Sequence, residues 1–339
     1  MNLSLRQSGL QFEKNQSVLI LAHHSPDGDA IGSILSCGLF LRKKGLRVQM
    51  VSPSAVPDYL KFPQNVDEIL NFESDSSKIQ WEGLDYIFCL DFSHLKRSEA
   101  MQDLIRSSTA KKICIDHHQH PENFADYYYH DETAAATCEL IFRWISDLGE
   151  KDQIDQSIAE PLYLGIMTDT GSFRHPSTTA GIHKIAAELI ETGIDFNRIH
   201  RKIEDSARFE SLKFLGETLY NHLHILPDYK LSVILLSYER QQKYGLKPGD
   251  TEGLVNYGLK IKECIWTIFL KEEPSGVKFS FRSVKGFEVH EFAAAHFSGG
   301  GHPNASGGKL KNMSLEQAFE FLKEVLPLQS EKIKNFTID

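Results

Sequence analysis

Three short apolar runs each stop at a carboxylate or an imidazole. Val18–Ala22 runs into His23-His24-Ser25-Pro26-Asp27-Gly28-Asp29, Tyr86–Leu90 into Asp91, and Lys112–Ile115 into Asp116-His117-His118. Runs of this length read as buried strands, and helical spacing between them predicts crossover helices, the pattern of a parallel sheet. Such a sheet places its chemistry beyond the carboxyl ends of its strands. Hard oxygen and nitrogen donors gathered there suit divalent cations.

The expected elements follow from the same spacing. A fourth strand is predicted at Val48–Val51, and helices at Ala30–Lys44, Thr137–Leu148, Gln156–Met167 and Ile182–Glu191. Residues 208–225 read as a charged helix joining two domains. Beyond Pro227 the texture changes, with strands predicted at Leu231–Ser237, Cys264–Lys271 and Val277–Arg282. Ser314-Leu315-Glu316-Gln317 reads as a capping box that opens a last helix running to about Leu326. At 339 residues the chain is comfortable for two domains.

Composition narrows the function classes. The five cysteines are odd in number and widely spaced, with no Cys-x-x-Cys, so neither a disulfide framework nor a zinc site is indicated. Cys89 and Cys114 fall inside apolar runs and are expected as buried small hydrophobes, which fits a reducing cytoplasm. No stretch approaches the roughly 20 apolar residues that span a bilayer, and Met1–Lys14 is polar, without a signal-peptide core. A formal charge of −9 argues against coating long nucleic acid. It leaves room for a small anionic substrate held through metal ions.

A lone aspartate after a strand is ordinarily a turn or cap residue, and Asp29 by itself reads as a cap for the following helix. Four acidic or imidazole sites in one domain, the fourth being Asp169 in Thr168-Asp169-Thr170-Gly171, read instead as metal binding. His24, His94, His120, His130 and His175 are expected to be structural or solvent-facing. The run Ser298-Gly299-Gly300-Gly301-His302-Pro303-Asn304-Ala305-Ser306-Gly307-Gly308 lets backbone N–H groups approach an anion. Arg282, in Phe279-Ser280-Phe281-Arg282-Ser283, can grip a phosphate through two parallel hydrogen bonds.

Together these motifs resemble the DHH phosphoesterase superfamily, and within it the NrnA-like oligoribonucleases that also dephosphorylate 3′-phosphoadenosine 5′-phosphate (pAp). His23-x-x-Pro26-Asp27-Gly28-Asp29, Asp91, Asp116-His117-His118 and Asp169-Thr170-Gly171 match the four motifs in order. The resemblance implies an α/β fold: a parallel-sheet catalytic domain with flanking helices (1–200), a helical linker (201–226), and a smaller mixed α/β substrate-binding domain (227–339). It implies two divalent ions, usually manganese. His23, Asp27 and Asp91 would hold one; Asp29, Asp91, His117 and Asp169 would hold the other, with Asp91 bridging. His118 would touch the phosphate or protonate the leaving oxygen, and Asp116 would orient an imidazole.

The C-terminal run resembles the DHH-associated domain, which implies substrate contacts from Arg282, Ser283, Gly300, Gly301 and His302. Arg174 would also approach the substrate, although His175 stands where the family commonly has an aromatic. Thr251-Glu252-Gly253-Leu254-Val255-Asn256 also resembles a family segment and reads equally as a helix start. The implied activity is release of 5′-mononucleotides from short oligoribonucleotides and conversion of pAp to AMP, in the cytoplasm and with no membrane partner. A homodimer is compatible with it. Two alternatives stand beside it: a RecJ-like single-strand exonuclease, for whose additional domains the chain has little room, and a non-catalytic nucleotide sensor. The sensor would have lost a ligand, whereas every ligand position here is filled.

Overall fold

The computed structural model describes residues 3–4, 10–247, 249–251 and 253–337. The chain divides into two compact units, Met1–Ser206 and Ala207–Asp339. Half of the polar N-terminal stretch Met1–Lys14 lies outside the described residues, as does Glu252. The rest of that family-like segment leads into a short 3-10 turn, Leu254–Lys260.

The first unit is built on seven strands: β1 (Leu3–Ser4), β2 (Ser17–Leu21), β3 (Arg47–Ser52), β4 (Leu70–Asn71), β5 (Tyr86–Leu90), β6 (Lys111–Asp116) and β7 (Tyr127–His130). Their order is β1-β7-β6-β5-β2-β3-β4, and every neighbouring pair is parallel. The chain runs outward from β2 to β4, then returns to lay β5 against the other side of β2. The β2/β5 boundary is therefore the switch point, where crossovers diverge to opposite faces and leave a crevice beyond the strand ends.

Because both faces are covered, the central strands carry near-continuous apolar runs. All five residues of β5 are buried: Phe88 and Leu90 face one apolar cluster, Ile87 and Cys89 the other. The first cluster packs under α1 (Gly28–Lys43) and the helices Thr137–Asp147 and Gln156–Asp169. Cys89, in the second cluster, and Cys114 are both fully buried small hydrophobes.

Close packing of α1 against Gln156–Asp169 depends on glycine. A Cβ on Gly28 would sit 2.4 Å from Thr168 Oγ1, and one on Gly32 would sit 2.4 Å from the Pro161 carbonyl. Neither position could carry a larger side chain without parting the helices that hold the first and fourth motifs.

The second unit holds a six-stranded sheet, β12-β13-β11-β10-β9-β8. Its strands are β8 (Leu223–Leu226), β9 (Leu231–Leu236), β10 (Trp266–Glu273), β11 (Gly276–Ser283), β12 (Gly300–His302) and β13 (Ala305–Lys311). Only β9 and β10 pair in parallel. One face buries Trp266, Phe279, Phe281 and Phe297, partly under the helix Leu315–Val325, whose Ser314/Gln317 capping box is present.

Two expectations need correction here. The expected linker is divided, because residues 201–206 belong to the first unit and the rest to the second. The helix Phe209–Asn221 buries Phe214 against Ile234, Leu236 and Phe269, so it covers the second face of the small sheet. It also ends earlier than expected. Leu223–Leu226 leaves the helical pattern and pairs antiparallel with β9, which satisfies its backbone at the sheet edge.

Candidate metal centre

His23 follows β2 and is 4% exposed. Its Nδ1–H donates to the His24 carbonyl at 2.9 Å, which turns Nε2 toward Asp27 and Asp91. His117, after β6, repeats the arrangement: Nδ1–H donates to the Ala134 carbonyl at 3.1 Å, and Nε2 faces the cluster. A carbonyl only accepts, so each imidazole is held in the tautomer that a metal ligand needs.

Asp91 stands between them. Its Oδ2 lies 3.5 Å from His23 Nε2 and its Oδ1 lies 3.6 Å from His117 Nε2, so each oxygen faces a different imidazole. The Thr137 hydroxyl donates to Oδ1 at 3.0 Å. The residue holds a left-handed φ of +62°, and its N–H donates to the Ile115 carbonyl at 3.1 Å. That conformation is disfavoured for an aspartate and turns the chain sharply as β5 ends.

Asp27, not Asp29, caps α1. Its Oδ1 accepts the N–H groups of Asp29 and Ala30 at 3.1 and 3.0 Å, while Oδ2 lies 3.7 Å from His23 Nε2. Asp29 is fully buried and serves a different helix. Its two oxygens accept the N–H groups of Thr137 at 2.6 Å and Cys138 at 2.9 Å, the start of Thr137–Asp147. That helix has no side-chain cap of its own, so an aspartate from a distant segment supplies the acceptors.

Asp169 ends its helix with Oδ2 3.4 Å from His117 Nε2. Asp116 is fully buried; its Oδ1 accepts from His118 Nδ1–H at 2.8 Å, which fixes the orientation of that imidazole at the edge of the cluster. The donor atoms of His23, Asp27 and Asp91 lie within 4.8 Å of one another, as do those of Asp29, His117 and Asp169.

The electrostatics are those of a site that wants cations. Burial pushes Asp29 well above the usual carboxylate range, with Asp91 and Asp27 adding to it. Asp169 is raised likewise, by burial and then by Asp29, Asp27 and Asp91. Burial would also raise Asp91, but His23, His118 and His117 together hold it well below. Burial would lower His23, yet Asp27 and Asp91 push it up to about 10. His118 is raised too, since Asp116 and Asp91 outweigh its burial. Two like charges 4 Å apart cost roughly 4 kcal/mol at an effective dielectric near 20, so protons hold this cluster together when no metal does.

Arg174 turns back on its own loop, Nε–H donating to the Gly171 carbonyl at 2.8 Å. In the second unit, the Ser283 hydroxyl accepts from Asn304 Nδ2 at 2.9 Å, and that amide also reaches the Val284 carbonyl. Arg282 Nη1 donates to the Phe281 carbonyl at 2.9 Å. The glycine run is chiefly strand packing: a Cβ on Gly299 would lie 2.0 Å from the Gly307 carbonyl, and Gly301 has φ +134°. Gly300, by contrast, has open space where its side chain would be.

Some contributors left no mark in the sequence. Thr137 reads only as a helix start, and the carbonyls of His24 and Ala134 come from backbone whose side chains are uninformative. His130, expected as structural or exposed, meets the His118 carbonyl through Nε2 at 2.7 Å.

A parallel sheet that gathers buried carboxylates and imidazoles beyond its switch point has the architecture of an α/β enzyme whose donors could hold divalent cations. Residues 17–166 match the DHH family, N-terminal domain, and residues 230–328 match the DHHA1 domain. The crystal structure of an exopolyphosphatase-related protein from Bacteroides fragilis is 36% identical, with a TM-score of 0.89 over 95% of this chain and 94% of that one. Relatives named bifunctional oligoribonuclease and PAP phosphatase NrnA include one from Thermus thermophilus, 28% identical over 91% of this chain and 89% of its own. The one from Bacillus subtilis is 27% identical over 87% of this chain and 89% of its own. The chain belongs to the DHH phosphoesterase family. Among the described residues, no helix is long and apolar enough to cross a membrane.

Proposed function

We propose that this chain hydrolyses short nucleotides with two divalent cations, releasing 5′-mononucleotides from short oligoribonucleotides, including linear dinucleotides such as pApA, and converting pAp to AMP. The observation that carries this is the pair of donor sets sharing Asp91 at the switch point. His23, Asp27 and Asp91 would hold one ion; Asp29, Asp91, His117 and Asp169 would hold the other, with manganese as the assigned metal. The donors fit, because both imidazoles have their tautomers fixed and the carboxylates repel one another until a cation or proton intervenes. When bound, the ions would supply a water of lowered pKa and a counter-charge for the phosphate.

The chain's own groups would do the rest. His118, aimed by Asp116 and raised in pKa by it and Asp91, would meet the phosphate or give its Nε2 proton to the leaving oxygen. Arg174 would exchange its carbonyl for a phosphate oxygen. Arg282, Gly300, Gly301 and His302 would bind the phosphate and sugar, with Ser283 placing the hairpin through Asn304. The names of the Thermus and Bacillus relatives support this substrate class. The buried free thiols suit a reducing cytoplasm.

The test is turnover by purified protein with manganese, offering pAp, pApA, a longer RNA, pyrophosphate and a short polyphosphate in parallel. AMP released from pApA, with or without pAp cleavage, is expected. Pyrophosphate, polyphosphate or the longer RNA as the only good substrate would move the assignment to another branch. Binding of pApA without turnover would revive the nucleotide sensor.

A further inference from the structure

Asp169 is carried differently from the other acidic residues of the cluster. Directly after its helix the backbone turns left-handed three times running, at Gly171 (φ +54°), Ser172 (φ +57°) and Phe173 (φ +63°). Glycine takes that conformation freely; serine does not, and phenylalanine still less. Such a run persists only where its surroundings over-determine it, and strain of this kind concentrates beside chemistry.

The surroundings here do so. Ser172 N–H donates to the Met167 carbonyl at 2.8 Å, and the N–H groups of Arg174 and His175 both reach the Thr170 carbonyl at 2.9 Å. Phe173 N–H donates to Thr170 Oγ1 at 3.1 Å. The Phe173 ring lies 5.7 Å from Tyr163, stacks at 5.6 Å on His183, and stands 6.5 Å from His200. Tyr163 is 3% exposed, and its hydroxyl bonds His200 Nε2 at 3.1 Å. One ring is thus keyed into the helices Gln156–Asp169, Ala180–Glu191 and Phe196–Glu204. His175 closes the turn from the other side, Nδ1–H donating to the Asp169 carbonyl at 3.1 Å.

The helix end needs such a bracket. Asp169 sits at the negative end of a helix dipole and beside other carboxylates, so repulsion drives its side chain toward water. We propose that Phe173 is a positioning residue for Asp169: locked between Tyr163 and His183, it holds the left-handed turn that keeps the Asp169 carboxylate facing His117. This rests on the assignment of Asp29, Asp91, His117 and Asp169 to one divalent cation. Phe173 itself touches neither ion nor substrate.

The experiment is manganese titration by calorimetry on wild type, Phe173→Leu, Phe173→Tyr, His183→Ala and Phe196→Leu, with kcat and KM for pApA and the melting temperature without metal. Phe196→Leu thins the same ring cluster without touching the turn. Phe173→Leu is expected to weaken one of two manganese sites by about tenfold or more and to lower kcat at unchanged KM. Phe173→Tyr should restore both, and Phe196→Leu should lower the melting temperature alone. His183→Ala, at an exposed position, should weaken the same site partially even if Phe173→Leu does not fold. Wild-type affinity at both sites in Phe173→Leu and His183→Ala would overturn the inference and leave the proposed function standing. Equal weakening by Phe196→Leu would also overturn it, reducing Phe173 to general packing. A wild-type protein that binds no manganese would overturn the inference and the proposed function together.

Discussion

Asp91 concentrates the chemistry of the site in one side chain. It is 2% exposed, faces His23 with one oxygen and His117 with the other, and accepts the Thr137 hydroxyl. Removing its charge would deprive both donor sets at once. Loss of a residue that merely supports a ligand costs 10–100-fold in metal affinity, so Asp91→Asn should cost more than about 100-fold in kcat/KM with manganese in excess. Steady-state turnover of pApA measures it, and near-wild-type turnover would end the shared-ligand account. His23 adds a pH signature. With its pKa pushed up to about 10 in the metal-free cluster, it carries a proton at neutral pH, and burial favours the protonated form of Asp29 and Asp169 as well. A cation must displace these protons, so manganese affinity should rise as pH rises from 6 to 8. Calorimetry in buffers of differing ionisation enthalpy should show net proton release. An affinity independent of pH across that range would contradict the protonated cluster.

At the scale of elements, one glycine joins packing to chemistry. A Cβ on Gly165 would lie 2.3 Å from Cys138 Sγ and 2.6 Å from Asp29 Oδ1. Alanine is the better helix former by about 1 kcal/mol, but crowding a filled core typically costs about 1–3 kcal/mol. Here the neighbours are a buried thiol and a carboxylate pinned by two N–H groups, so the clash should prevail. Gly165→Ala is expected to lower the melting temperature and weaken manganese binding, with Cys138→Ala in the same chain recovering part of the stability. Thermal melts of the single and double variants decide it, and a more stable Gly165→Ala would show that the helices can part. This contact also marks how far the sequence was legible. The central strands and long helices announced themselves through unbroken apolar runs and helical spacing, and their ends delivered the ligands. Tyr127–His130 escapes the sequence reading because a run of tyrosines, two of them only partly buried, lacks that apolar signature, and Leu223–Leu226 because its leucines also continue a helical pattern. The turn at Phe173 was unreadable, since left-handed backbone at an aromatic residue follows from tertiary packing and not from residue type.

On the scale of the whole molecule, a chain of net charge −9 is proposed to handle polyanionic substrates, and its most buried acidic residues lie where the substrate would react. Coulomb repulsion opposes that arrangement unless protons or cations intervene, which makes a bound metal part of the fold's energetics as well as of its chemistry. A ligand that binds only the native state stabilises it by about 2.7 kcal/mol at a hundred times its dissociation constant. The gain should be local. All the acidic and imidazole donors assigned to the ions lie in the unit Met1–Ser206. Hydrogen exchange on chelator-stripped protein, with and without manganese, should therefore show added protection in residues 23–30, 89–93, 115–118, 134–138 and 166–175. The sheet core of the second unit, around Trp266 and Phe281, should exchange at the same rate in both states. Asp91→Asn should abolish the difference. Protection spread evenly over both units, or preserved in Asp91→Asn, would mean that manganese stabilises the protein from somewhere other than the switch point.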